Sequence, residues 1–290
     1  MNGSLNSDAP VAAPLSSHTR PLYWSVRREL WENRSVWIAP IVVTAFVMFG
    51  TFISIVTAAH RHSSIVPSLS MAPAPIMLAT FIIAFFYSLE ALHGERRDRS
   101  ILFWKSLPVS DAMTILSKAA IPFAVLPLIA LALSFITQWA LLMIGTLVFA
   151  GSGNNPAIIW SEFHFIQSPF IMIYGLLVHV LWFAPIYGWL LLISAWARRT
   201  PVLWAVLPVF AISVLERITF GTTYFAKLLG WRFKGAMETA FVPGTHGRID
   251  SLTELDPGRF LTTSGLWLGL LFAAACLITA ARLRRNREPI

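Results

Sequence analysis

The chain is divided by uncharged stretches that suit only membrane-spanning helices. Between Arg34 and Arg61 the sole titratable side chain is His60, and Trp37 to Ala59 gives 23 residues. At 1.5 Å per residue that is about 34 Å of helix, enough to cross a hydrocarbon core of about 30 Å. Further stretches at 74–92, 126–149, 168–197, 200–215 and 261–283 are uncharged or charged only near their ends. A water-soluble globule does not combine 56% hydrophobic residues with 12% charged ones. The expected fold is an all-α polytopic membrane protein of six spans. The fifth is the weakest, since its 16 residues reach only about 24 Å and Glu216-Arg217 follow at once.

The basic residues set an orientation, because the inner face of a membrane retains positive loops. In the six-span arrangement one side collects fifteen Lys and Arg: Arg20, Arg27, Arg28, Arg34, Arg96, Arg97, Arg99, Lys105, Lys118, Arg198, Arg199, Arg282, Arg284, Arg285 and Arg287. The other side holds seven, six of them in the long segment 216–259 that also carries five acids. Long segments translocate largely regardless of charge, so the short loops decide. The reading is a multi-pass protein of the inner or plasma membrane with both termini cytoplasmic. Omitting the fifth span would put the Arg282–Arg287 cluster outside. The net charge of +8 is spread over clusters beside apolar runs and forms no stripe, so no nucleic-acid partner is expected.

Residues 1–20, rich in Ser, Pro and Ala without a long apolar core, read as a disordered cytoplasmic tail and not as a signal peptide; 21–290 reads as one transmembrane domain. The single cysteine, Cys276, lies in the last apolar run, which excludes a disulfide framework. No P-loop, His-Glu-x-x-His or Gly-x-Ser-x-Gly pattern occurs, so no catalytic residue is assigned and the chain is not expected to be an enzyme by itself. His60 with His62, and His164 beside Glu162, lack a third ligand, so no metal site is expected. His179, inside the fourth span, reads as a histidine hydrogen-bonded between helices, and Glu90 as an ion-pair partner of Arg96 or Arg97.

Outside the spans, Tyr23, Trp24, Leu30 and Trp31 interleave with Arg27, Arg28 and Arg34, which fits a helix lying flat at the inner interface and equally an aromatic and basic anchor for the first span, readings that are compatible. After the second span, Ser100 is placed to cap a short helix through Ile101–Trp104, Leu107-Pro108 to end it, and Ser110-Asp111 to start the next. A short helix held between two spans can transmit a push from a docked protein as a tilt of the bundle. On the other side Phe220, Tyr224, Leu228 and Trp231 fall on one helical face, which predicts an interfacial or re-entrant helix before the last span. Pro243-Gly244, Gly247 and Asp256-Pro257-Gly258 mark turns beyond it. Pro122, Pro127, Pro185, Pro201 and Pro208 predict kinks in the third to fifth spans.

This layout, with Glu95-Arg96, then Leu107-Pro108-Val109-Ser110, then Lys118, resembles the membrane subunit of type-2 ABC exporters over nearly the whole chain. The resemblance implies that the insert is a coupling helix seated on a separate ATP-binding subunit, with Glu95, Arg97, Trp104, Pro108 and Lys118 at that contact. It places Arg28 and Trp31 of the N-terminal helix at the same interface and gives Tyr224 and Trp231 the role of an outer gate. It further implies a second permease subunit, like or unlike, and ATP on the partner, with no cofactor on this chain. The expected function is the permease half of an ATP-driven exporter. The alternative, an ion-coupled secondary transporter, calls for acidic residues at mid-membrane, and the spans carry none. The solute is not written in the sequence.

Overall fold

The computed structural model of the chain describes residues 20–98, 110–164, 166–242, 249 and 251–286. The tail before Arg20, the short helix expected after Ser100 with Trp104 and Pro108, and the turns at Pro243-Gly244 and Gly247 lie outside the described residues.

Six helices are long and apolar enough to cross a membrane, and among the described residues the one non-helical pairing is an antiparallel bridge between Phe241 and Leu255. Helix α1 (Arg20–Glu32) leads into the first span, α2 (Ser35–His60). A short α3 (Val66–Met71) turns the chain into the second span, α4 (Pro73–Glu90), which α5 (His93–Arg97) extends. Ser110 then caps α6 (Asp111–Ala120), its hydroxyl accepting from the Met113 amide, as its position before Asp111 predicts.

The third span carries its two prolines at a π-helical turn. Helix α6 runs through a π-helical turn, Ile121–Val125, directly into α7 (Leu126–Gly151). Pro122 and Pro127 each remove an α-helical hydrogen bond. The wider turn absorbs them, with the Leu126 amide bonding back to the Ile121 carbonyl. The helix therefore begins at Asp111, well before the predicted 126. A short α8 (Ala157–Glu162) leads to the fourth span, α9 (Ser168–Trp196).

The fifth span, α10 (Pro201–Phe220), is longer than 200–215: its 20 residues give about 30 Å. Gly221, at φ 65°, ends it in the left-handed conformation that glycine adopts without strain. Phe220 therefore belongs to α10 and not to the face shared by Tyr224, Leu228 and Trp231 on α11 (Tyr224–Ala240). The sequence reading missed this break because the aromatic spacing continues across Gly221. Glu216 bridges it, accepting from the Thr222 hydroxyl at 2.7 Å and from the amides of Tyr224 and Phe225 at 2.6 and 2.8 Å. An acid that ends one helix so caps the next. Leu261 falls in a short α12 (Pro257–Thr262), and the last span, α13, runs over Ser264–Asn286.

The interior has two levels. At one end Ile55, Ile65, Leu69, Leu141 and Phe149 join α2, α3 and α7. At the other, Val36, Tyr87, Ile121, Tyr187 and Leu191 join α2, α4, the π-turn and α9. Helix α10 stands apart, with Ala205 its one buried residue.

Candidate functional site

The sequence-predicted residues Arg28, Glu95 and Lys118 meet at the basic end of the bundle, which holds α1, α5, the start of α6 and the ends of α9 and α13. The amphipathic α1 turns Ser25 and Glu29 inward and leaves Trp24, Arg27 and Trp31 exposed. Glu29, fully buried, accepts from Lys118 Nζ at 3.0 and 3.1 Å and from the Tyr87 hydroxyl at 3.0 Å. Arg28 pairs with the same carboxylate at 3.1 Å. Lys118 Nζ also lies 3.0 Å from Glu95, whose other oxygen pairs with the Arg284 guanidinium. Arg284 in turn donates from Nε to Asp111 at 3.2 Å.

Three carboxylates, Glu29, Glu95 and Asp111, thus face three cations, Arg28, Lys118 and Arg284. The set is neutral, and it ties four helices, α1, α5, α6 and α13, with Tyr87 of α4 joined to it by a hydrogen bond. Removing two such charges from water is expensive, and the attraction between them repays the cost only with close geometry. Deleting one member leaves a buried charge unpaired, a loss of roughly 3–5 kcal/mol. Glu32 sits at the rim of the set, where burial pushes its carboxyl above the usual range; Arg28 and Lys118 oppose the shift, and Glu29 and Glu95 add to it.

A second latch lies beside the ion set. The last carbonyls of a helix have no intrahelical donor. At the end of α9, Arg96 donates to the Ala195 and Ala197 carbonyls at 2.9 and 3.3 Å, and the His93 ring meets Ala197 O at 3.2 Å. The Ser194 hydroxyl accepts from the Leu92 and His93 amides, both at 3.0 Å. Helix α5 is thereby fixed to the fourth span on one side and to the last span, through Glu95, on the other.

Other sequence candidates sit elsewhere. Arg97 points outward and pairs with Glu90 at 3.1 Å and Asp98 at 3.2 Å, the Glu90 pair being of the expected kind. Trp31 is 71% exposed under the Arg27 guanidinium, away from the ion set. Of the two outer residues, Tyr224 is exposed, whereas Trp231 packs edge-on against Trp182 with centroids 4.7 Å apart. His179 bonds to the Tyr187 hydroxyl at 3.0 Å within α9, not between helices. The pair straddles Pro185, so the ring secures its own helix across the proline. His60 is taken up by the Val56 carbonyl and His62 by the Asn154 side chain.

Glu29, Tyr87, Ser194 and Arg284 belong to the site and were not singled out from sequence. Glu29 carries a usable signal, an acid on the inward face of an otherwise basic helix. Arg284 is masked by the arginines around it, which register only as topology. Two small hollows are present, each of about 10 Å³, room for one water; one is lined by Thr80, Pro122, Pro127, His179 and Tyr187. No family model, curated protein or solved structure matches the chain.

Proposed function

We propose that this chain is the permease half of an ATP-driven exporter, with the ion set and the insert after α5 forming the lever that receives force from a separate ATP-binding subunit. The observation that carries the reading is that the described residues on both sides of positions 99–109 are tied into the bundle. Glu95 and Arg96 precede those positions and Asp111 and Lys118 follow them, and all four are fixed by partners on other helices. Those four residues reach the second, third, fourth and last spans and α1. A push on the insert is therefore delivered to most of the bundle at once, which a loop tied to one neighbour would not achieve.

In this reading both termini are cytoplasmic, α1 lies in the inner interface with Trp24, Arg27 and Trp31 toward lipid, and α11 dips into the outer leaflet. Glu95 and Lys118 act through the ion set, since both are buried, and Arg97 is the exposed cation beside the insert. A second permease half, like or unlike, belongs to this reading.

The ion-coupled alternative draws on the same buried acids, Glu29 and Glu95. Both, however, are matched by cations and lie at the bundle's end, whereas a proton carrier needs an acid that can be exposed alternately to both sides. The test is purification of the tagged chain in mild detergent from its native membrane. Retained ATP hydrolysis, lost on deletion of residues 99–109, is the expected result. A preparation without hydrolase, whose transport collapses with the proton gradient alone, would overturn the proposal in favour of the alternative.

A further inference from the structure

The charge pairing of the basic end has no counterpart at Arg232. This residue sits on α11, where its backbone carbonyl accepts from Trp182 Nε1 at 2.7 Å and its guanidinium lies 4.9 Å from the Trp182 ring centre. One hydrogen bond leaves the guanidinium, to the Gly265 carbonyl at 3.3 Å. A guanidinium carries five donors. Among the described residues no carboxylate pairs with it.

The last span makes room for it. Gly265 and Gly269 stand one turn apart on α13, a Gly-x-x-x-Gly spacing that in many membrane helices marks a contact with another helix. Here the notch is filled from within the chain. A methyl group added at Gly265 would overlap the Trp231 ring, and one at Gly269 would overlap the Arg232 guanidinium. The notch also fixes depth. Ala280 is buried with Leu92 and Ile115 at the basic end, and 11 to 15 residues separate it from Gly269 and Gly265. At 1.5 Å per residue the guanidinium stands about 17–22 Å above that level along α13, a separation shorter than the roughly 30 Å of a hydrocarbon core. A cation at that depth without a protein partner is costly, and it marks a functional position when a ligand supplies the missing charge.

We infer that Arg232, stacked on Trp182 and seated in the Gly265–Gly269 notch, binds the phosphate or carboxylate head of an anionic amphiphile. The anion follows from the unmet donors, and the planar fork suits a two-oxygen head. The amphiphile follows from the surroundings: Trp182, Trp231 and Phe260 pack around the site, and Phe233 is exposed beside it. The head belongs either to a bilayer phospholipid or to a solute. The site stands apart from the export proposal, and neither needs the other to hold.

The test uses the full chain in a neutral maltoside detergent, titrated with dodecyl phosphate while the melting temperature is followed. Wild type should show a saturable rise, weakened about tenfold or more in Arg232→Gln and unchanged in Lys234→Gln. Gly269→Ala, which keeps the arginine but closes its seat, should weaken binding as well, and it carries the test if Arg232→Gln does not fold. No saturable rise in wild type, or equal binding in wild type and both variants, overturns the inference. Inorganic phosphate binding as tightly as dodecyl phosphate overturns the amphiphile. Competition by phosphatidylglycerol but not phosphatidylcholine supports a lipid head as the occupant; competition by neither supports a solute.

Discussion

The two ends of the bundle handle buried charge in opposite ways. At the basic end Glu29, Glu95 and Asp111 are matched by Arg28, Lys118 and Arg284, every one held by partners from other elements. At the far end Arg232 has an aromatic face and one carbonyl but no counter-charge among the described residues. Matched charges hold helices in a fixed relation; an unmatched one is open to something that arrives. On the two proposals made above, rigidity belongs to the end that receives force and recognition to the end that binds an anionic head.

Breaking the matched end should have the largest effect. Lys118 serves two carboxylates, so Lys118→Met should destabilise the chain by roughly 3–5 kcal/mol in detergent unfolding. Glu29→Gln added to it should cost much less than the sum of the two single changes, because it removes the excess negative charge that the first change leaves in the set. Additive losses would mean that the two groups are not coupled. Of intermediate size is Ser194→Ala, which leaves the Leu92 and His93 amides without their acceptor at a cost of about 1–3 kcal/mol. Faster hydrogen exchange at those two amides, with exchange in α9 unchanged, is the expected signature. At the far end Glu216→Ala removes the cap between α10 and α11 and should speed exchange at Tyr224 and Phe225. The smallest effect belongs to the middle of the bundle. The Thr137 hydroxyl is buried with no partner, so Thr137→Val should leave the melting temperature unchanged or raise it slightly.

The spans were legible because hydrocarbon thickness imposes a length that any uncharged run of about 20 residues reveals. Their ends were less so. The third span starts at Asp111 because a π-turn carries two prolines, and no apolar count anticipates that. The fifth reaches Phe220 because Glu216 finds donors on the next helix, so a charge that looked like a boundary is a cap. In the site, Arg28, Glu95 and Lys118 were singled out through the family resemblance, which did not foretell that they meet in one ion set. Glu29, Ser194 and Arg284 were not, because partners 89 to 189 residues apart leave no local pattern. The Gly265–Gly269 spacing was visible in the sequence, but what fills it is decided by the return of α11 across the last span.

The sidedness and occupancy of the insert can be measured at Arg97, an exposed residue next to it. A chain carrying Cys276→Ser and Arg97→Cys, in vesicles of known orientation, would be treated with a membrane-impermeant maleimide with and without the ATP-binding subunit. The expected result is modification from the cytoplasmic side only, slowed when the subunit is bound. Modification from the outer side, or equal rates with and without the subunit, would contradict the lever.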